Sequence, residues 1–301
     1  MPCYSPLEGY WSRRRNPSGK RGVVFSASEG FLDRPVKVPC GQCVGCRLER
    51  SRQWAIRLMH ERAMHEENCF ITLTYDDKHL PPYGSLRKSD FQKFMKRLRK
   101  ANSDKRIRYF HCGEYGDITG RPHYHAILFG IDFSDRYSWA VRKGHPTFRS
   151  RSLENLWKDG HSEIGSVTFE SAAYVARYVM KKRTGKDSAK HYERMDPETG
   201  EVVELEREYC TMSRRPGIGS EWLERYGHET YRDDTVVMRG REMRPPRFYD
   251  DKYEVVEPEL VAEAKAKRQA KRDRKEETPE RMEAREACAY ARLSRLERSM
   301  I

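Results

Sequence analysis

Hydrophobic and polar residues recur along this chain with two different periods, which predict a mixture of strands and helices. Short apolar or alternating runs, rich in β-branched and aromatic residues, predict strands over 69–75, 107–114 and 123–131. Apolar residues spaced for one helical face predict a helix over 48–66 and a second that begins at Ser89. Strands interleaved with helices in this order favour an α+β fold with a central antiparallel sheet and flanking helices.

Two histidines that flank one bulky residue open the third of these strands. Because alternate side chains of a strand share a face, His123 and His125 project together and Tyr124 points the other way. The turn-like residues 116–120 join this strand to the preceding one, which ends with Glu114. Two imidazoles and one carboxylate suit a divalent cation that keeps open coordination positions. Histidine pairs on strands also occur as structural or surface features, so this pair alone leaves both interpretations open.

A second motif lies about fifty residues downstream. Residues 174–182 are predicted to be helical, because Ala, Arg, Met and Lys favour helices. Tyr174 and Tyr178 are four residues apart and share a helical face, and Lys181 and Lys182 follow one turn later. The same pattern is typical of two core tyrosines followed by a solvated basic helix end.

Together, the two motifs resemble the HUH endonuclease superfamily. Within it, the chain is most similar to the replication initiators of microvirus-type single-stranded DNA phages, in particular the gokushovirus-like branch. Tyr124 is a departure, since the superfamily has a hydrophobic residue between its histidines. The segments that carry the resemblance are 70–75 for the first strand, 113–125 for the metal motif, 174–182 for the tyrosine motif, and 2–4 with 40–47 for the gokushovirus branch.

The resemblance implies a rolling-circle replication initiator, a metal-dependent endonuclease and strand transferase. Such an enzyme nicks and rejoins one DNA strand at the viral origin through a 5′-phosphotyrosine intermediate. The first nucleophile would be Tyr178, which forms a Tyr-x-x-Lys pattern with Lys181, and Tyr174 would alternate with it. Lys182 would assist catalysis, and Arg177 would contact DNA.

The resemblance also implies a metal site formed by Glu114, His123 and His125, with Mg²⁺ or Mn²⁺ as the ion. His111 competes with Glu114 as a ligand, but the two differ in strand parity, so a regular strand cannot aim both at one ion. Glu114 is preferred because it stands where the resemblance places the carboxylate.

The partners implied are the single-stranded and supercoiled viral origin, a host helicase and the replication machinery, in the cytoplasm of the host cell. Two alternatives remain at this point. One is a transposase or plasmid initiator of the same superfamily, and the other is a non-enzymatic protein that binds single-stranded nucleic acid on its sheet.

The net charge of the chain agrees with a nucleic-acid partner. The chain has 301 residues and a formal net charge of +13, which favours a polyanion as its partner.

No apolar stretch reaches the length of a transmembrane helix, and residues 1–5 lack the apolar core of a signal peptide. We therefore expect a protein without a membrane partner whose cysteines are reduced.

Four cysteines form a second candidate metal site. Cys40, Cys43 and Cys46 follow one another at a spacing of three, and Cys3 is the fourth candidate ligand. Four thiolates would make a closed tetrahedral site for a structural Zn²⁺. Free thiols in a flexible loop and an iron–sulfur cluster are the alternatives.

The organisation predicted from these patterns has three parts. Residues 1–46 form an irregular, Cys-rich segment that needs an anchor such as zinc, and 47–257 would form the endonuclease domain that the resemblance implies. Residues 258–301 form a charged tail that is a solvated helix or disordered. Within the domain, 165–169 are predicted to be a short strand, and Arg214 and Arg215 open a basic turn that either contacts DNA or is a plain surface loop.

Overall fold

The computed structural model describes the chain in seven ranges: residues 3–17, 19–116, 119–142, 144–181, 192–196, 199–271 and 274–295, without the side chains of 178–181, 274 and 276. The described residues form two compact units. One contains the residues up to Arg50 together with those from Gln269 onwards, and the other contains those from Ser51 to Arg268. The predicted domain boundaries after residues 46 and 257 stay predictions.

Strands and helices are numbered in chain order. The strands are β1 (Leu7–Arg15), β2 (Arg21–Val24), β3 (Gly30–Val38), β4 (Asn68–Tyr75), β5 (Arg108–Tyr115), β6 (Pro122–Phe129), β7 (Tyr137–Arg142), β8 (His145–Arg149), β9 (Gly160–Gly165), β10 (Glu193–Met195), β11 (Val202–Glu204), β12 (Tyr209–Met212), β13 (Val236–Met238) and β14 (Arg241–Met243). The helices are α1 (Val44–Ala63), α2 (Lys88–Ala101), α3 (Arg151–Leu156), α4 (Phe169–Lys181), α5 (Ser220–Asp233), α6 (Arg247–Tyr253), α7 (Pro258–Ala270) and α8 (Pro279–Arg295), with 3₁₀ turns at Pro82–Gly84 and Arg274–Glu277.

A seven-stranded antiparallel sheet in the order β12-β5-β6-β4-β9-β8-β7 lies in the larger unit. Its first face carries Tyr124 and Leu128 of β6 and is covered by Phe91 and Phe94 of α2. The second face packs against α1 and α4, in a core formed by Leu58, Phe70, Phe110, Cys112, Ile127, Phe129, Val175 and Ala176. The predicted α+β fold, with a central antiparallel sheet and flanking helices, is confirmed.

The N-terminal segment is not irregular as predicted, because it contains the three-stranded antiparallel sheet β2-β1-β3. These strands lack the apolar alternation that reveals a strand in a sequence, and β1 ends in the three arginines 13–15. The close approach of β3 to β1 restricts the sequence instead. A Cβ atom at Gly30 would lie 2.3 Å from Cβ of Tyr10, so only glycine fits there.

The strand predicted over 165–169 is also wrong, because β9 ends at Gly165 and α4 begins at Phe169. The helix start is set by two side chains that bond each other's backbone. The Ser171 hydroxyl accepts from the N–H of Thr168 at 2.9 Å, and the Thr168 hydroxyl accepts from the N–H of Ser171 at 3.2 Å. Such reciprocal caps satisfy N–H groups that a helix leaves without partners.

The charged tail is helical where the structure describes it. In α7, Val261 and Ala264 are buried in a small core with residues of α5 and α6. The described residues of α8 include none that is buried.

A buried ion pair anchors the basic turn that follows β12. Arg108 of β5 pairs with Glu61 of α1 and donates to the carbonyl of Pro216 at 2.9 Å, and Glu61 accepts from the N–H of Gly219 at 2.6 Å. Burial raises the pKa of Glu61, but hydrogen bonds, including those from Gly219 and Arg108, outweigh burial and lower it. The turn is therefore held from two sides by one carboxylate and one guanidinium.

Replacing Arg108 with Ala should lower the free energy of unfolding by about 3–5 kcal/mol, because Glu61 would keep its charge in a buried place without its partner. Urea unfolding of the whole protein measures the change. The control is Lys105→Ala, which removes an exposed partner of Glu67 and should change stability little. Equal losses in the two variants would contradict the anchoring role.

Candidate metal centre

Strand pairing brings the predicted ligands Glu114, His123 and His125 together. In the β5–β6 ladder Glu114 lies directly opposite His123, and in the β4–β6 ladder Thr72 lies opposite His125. The two histidines share one face of the sheet, as the alternation predicts. Tyr124 is buried on the other face, where its hydroxyl donates to the carbonyl of Arg87 at 2.8 Å.

The three side chains converge on one carboxylate oxygen. Oε1 of Glu114 lies 2.8 Å from Nε2 of His123 and 2.9 Å from Nε2 of His125. Glu114 and His125 are almost wholly buried, whereas 18% of the His123 side chain is exposed. One ligand atom from each residue lies within 4.8 Å of the others, so these groups could hold one metal ion.

The hydrogen-bond partners of the imidazoles fit such an ion. Nδ1 of His123 lies 3.0 Å from the carbonyl oxygen of Arg121, which can only accept, so Nδ1 carries the hydrogen. In a neutral ring Nε2 then presents a lone pair toward the Glu114 carboxylate, and two acceptors face each other. A cation bound by both groups would remove this opposition of two acceptors. Nδ1 of His125 contacts the Thr72 hydroxyl at 3.0 Å, an outer contact of the kind that orients metal-binding histidines.

Glu114 is ionised across the physiological range. Burial raises the pKa of this carboxyl group, but the neighbouring imidazoles of His123 and His125 outweigh burial and lower the pKa to about 2. A carboxylate in this form can serve as a metal ligand at neutral pH.

The tyrosine helix α4 packs on the same face of the sheet, against β5, β6 and β12. The ring of Tyr174 meets the ring of His125 edge to face, with centroids 5.3 Å apart and planes at 84°. The guanidinium carbon of Arg177 lies 5.7 Å from the centre of the Tyr174 ring. Tyr178 and Lys181 lie in α4, but their side chains are outside the described residues, and Lys182 is outside them altogether.

The predicted DNA-binding residues Arg214 and Arg215 are exposed, but the structure does not bring them to this centre. Ser213, just before them, bonds the carbonyl of Tyr109 at 2.9 Å. Tyr109 precedes Glu114 by five residues of one strand, a separation of roughly 16 Å.

His111 is not a ligand, as its strand parity predicts. Its ring is buried on the opposite face, stacked on Phe91 with centroids 3.4 Å apart, and its Nδ1 lies 2.9 Å from the hydroxyl of Thr211. Thr72 is a residue of the site that the sequence reasoning missed. It is a polar residue in an otherwise mainly apolar strand, and its parity differs from that of the buried Ile71 and Leu73.

Cys3, Cys40, Cys43 and Cys46 form the second group of converging ligands, and their sulfur atoms all lie within 4.8 Å of one another. Sγ of Cys3 is 3.8 Å from Sγ of Cys40 and 4.0 Å from Sγ of Cys43, far longer than a disulfide bond of about 2.05 Å. Four sulfur atoms placed tetrahedrally at about 2.3 Å from one ion lie about 3.8 Å apart, which matches these separations. A cluster of several irons needs a wider cage.

Comparison with known proteins assigns the chain to a family. A family model described as replication-associated protein ORF2/G2P matches residues 68–183, which include β4 to β6 and α4. The chain is 35% identical over 278 residues to replication-associated protein VP4 of Bdellovibrio phage phiMH2K, covering 89% of this chain and 82% of that protein. It is 32% identical over 231 residues to replication-associated protein ORF2 of Spiroplasma virus 4, covering 72% and 68%.

No solved structure matches the chain. None of the helices in the described ranges combines the length and apolar character needed to cross a membrane. On the identity and coverage of these relatives, the chain belongs to the family of phage replication-associated proteins of the ORF2/G2P type, and it is a replication initiator like those of the microviruses.

Proposed function

We propose that this replication initiator is an HUH-type DNA nickase and strand transferase that starts rolling-circle replication at the viral origin. The observation that carries the proposal is the contact between His125, a candidate metal ligand, and Tyr174 of the tyrosine helix. A binding platform for nucleic acid would need neither three converging metal ligands nor a tyrosine packed against one of them.

Glu114, His123 and His125 would hold Mg²⁺ or Mn²⁺. A divalent ion at this site would draw charge from the oxygens of the scissile phosphate and favour the ionised form of a nearby phenol, whose ordinary pKa is about 10. Neighbouring residues orient the three ligands. Thr72 and the carbonyl of Arg121 orient the two imidazoles, and the β5–β6 ladder holds Glu114 between them.

Strand cleavage would proceed by attack of a tyrosine oxygen on phosphorus. The P–O3′ bond breaks as the tyrosine–phosphorus bond forms, and the departing 3′-oxygen takes up the proton that the phenol gives away. The products are a 5′-phosphotyrosine and a free 3′-hydroxyl, which primes synthesis. The reverse attack by a 3′-hydroxyl rejoins a strand without ATP, because the phosphotyrosine bond conserves the energy of the one that was cut.

Two tyrosines would let the protein cut a second time before the first adduct is released. We assign the first cleavage to Tyr178, assisted by Lys181 and Lys182, and the alternate cleavage to Tyr174 beside Arg177. The alternation would release a unit-length circle after each round of synthesis.

The substrate would be the single-stranded or supercoiled origin in the host cytoplasm, with a host helicase opening the duplex. Arg214 and Arg215 would contact the DNA backbone away from the metal centre. Their exposure and the rigid anchoring of their turn support this role.

We also propose Zn²⁺ as the ion of the four-cysteine site. The sulfur separations fit one tetrahedral ion, and zinc is the usual occupant of closed Cys₄ sites. The backbone N–H groups of Tyr4 and Cys40 point at Sγ of Cys43 and Cys3, each at 3.3 Å, and would stabilise thiolate charge. The ion would fix the chain next to the small N-terminal sheet.

Thr72→Val should weaken Mn²⁺ binding by about 10- to 100-fold, because it removes the hydroxyl that orients His125. His125→Ala should weaken it further. Titration calorimetry of the full chain measures both. His79→Asn is the matched control, because His79 is exposed and bonds Asp76 instead. Unchanged affinity in His125→Ala would contradict the site.

Incubation of the protein with origin single strands and Mn²⁺ should produce a covalent protein–DNA adduct on a denaturing gel. Tyr178→Phe should reduce the adduct more than Tyr174→Phe, and the double variant should form none. The Phe variants should still bind DNA, because only a hydroxyl is lost. A metal-independent adduct, or tight binding without any adduct, would favour the binding-protein alternative.

The purified chain should contain one zinc per molecule by elemental mass spectrometry, and Cys43→Ser should lose it. Cys288→Ser, which changes an exposed thiol in α8, should keep the metal. One iron per chain, or no metal after expression in zinc-supplemented medium, would contradict the proposed zinc.

A further inference from the structure

A cavity of about 210 Å³ opens beside the candidate metal centre, on the same face of the sheet. Phe70 and Thr72 of β4, Glu163 and Gly165 of β9 and the end residues of the β7–β8 hairpin line it, and Tyr174 contributes a wall from α4. Thr72 and Tyr174 belong to both places, because each also contacts His125. The cavity therefore lies next to the candidate metal centre.

The walls combine apolar surfaces with a charged rim. Phe70, Pro146 and Tyr174 supply flat apolar surfaces. Arg142 and Glu163 form an ion pair with nitrogen and oxygen 2.5 Å apart, which offers both donors and an acceptor at the edge. Flat apolar surfaces edged by a few polar groups are the usual lining of a site for a planar ligand.

Gly165 keeps part of the cavity open. It stands next to Glu163 in the alternation of β9, so a side chain there would project from the same face. Its Cβ atom would lie 3.3 Å from a ring carbon of Phe70, and larger side chains would reach into the open space. The backbone of Gly165 does not need the left-handed region, so a β-branched residue can be introduced without backbone strain.

We propose that this cavity holds the base of one unpaired nucleotide next to the scissile phosphate. The placement next to that phosphate rests on the proposed nickase. The cavity is smaller than pockets for drug-sized ligands, which span roughly 300–1,000 Å³, and suits one flat ring system. A base inside a duplex is paired and stacked and must first be flipped out, so a single strand delivers its base here at a lower energetic cost. The subsite would make the enzyme read a nucleotide at its point of cleavage.

The test compares Gly165→Val with the wild-type protein by fluorescence anisotropy in EDTA, which prevents cleavage. Two probes are used: a 12-nucleotide origin strand, and a 12-unit abasic strand with the same phosphates but no bases. Gly165→Val should weaken binding of the base-bearing strand about tenfold, the size expected from losing one buried base contact. Affinity for the abasic strand should not change, because its phosphates never enter the cavity.

Ser138→Val is the matched control. It adds an apolar side chain to an exposed position of β7 that does not line the cavity, so both probes should bind it as they bind the wild type. Thermal unfolding checks that both variants are folded. Equal weakening on the two probes, or no weakening on either, would overturn the base subsite.

A scan with single abasic nucleotides then locates the base. The wild-type protein should lose affinity most when the abasic unit stands next to the mapped nick, and Gly165→Val should lose that sensitivity. If base-dependent binding occurs without nicking, the nickase proposal fails and the base subsite stands. If nicking occurs and no position shows coupling, the base subsite fails and the nickase stands.

Discussion

The pairing of β6 between β4 and β5 is the constraint on which the candidate site depends. It sets Glu114 opposite His123, and Thr72 opposite His125, through backbone hydrogen bonds rather than through the ligands themselves. A slip of one residue would turn both histidines to the opposite face. Both faces of β6 are buried, so such a slip would also exchange its side chains between the two cores and disrupt the packing of both.

Packing of α4 on the same face adds the second component of the site. Val175 and Ala176 are fully buried against the sheet, and this contact fixes the rotation of the helix. Tyr174 then meets the ring of His125, and the reciprocal cap of Thr168 and Ser171 fixes where the helix begins. The candidate metal ligands, Tyr174 and the neighbouring cavity thus share one face of the sheet, which is the arrangement that the proposed strand cleavage requires.

The sequence was most informative where metal-ligand residue types stand in a segment with the alternation of a strand. The hairpin of β5 and β6 and the parity of His111, His123 and His125 could be predicted, because alternation along a strand is a local property. The N-terminal sheet could not, because β1 and β3 are mostly exposed and lack the apolar alternation that marks a strand in a sequence. The short strand expected at 165–169 is wrong because two hydroxyl side chains start a helix there instead.

Features built from distant parts of the chain were also hidden. Thr72 and His125 are 53 residues apart, and the cavity draws on β4, β9, the β7–β8 hairpin and α4. No local sequence pattern predicts these long-range contacts, since they follow from the order of strands in the sheet. Cys40, Cys43 and Cys46 were predictable as a group, because their spacing already limits how the sulfur atoms can converge. Cys3 lies 37 residues before Cys40, so spacing made it only a candidate for the fourth ligand.

Peptide mapping of the reacted protein tests the central claim most directly. Arg177 separates the two tyrosines, so trypsin places Tyr174 and Tyr178 in different peptides. After reaction with origin DNA and Mn²⁺, followed by nuclease digestion, mass spectrometry should find a 5′-phosphonucleotide on one of these two peptides, and on neither in EDTA. A nucleotide on any other tyrosine, or on none, would contradict the account of a metal-assisted tyrosine nickase.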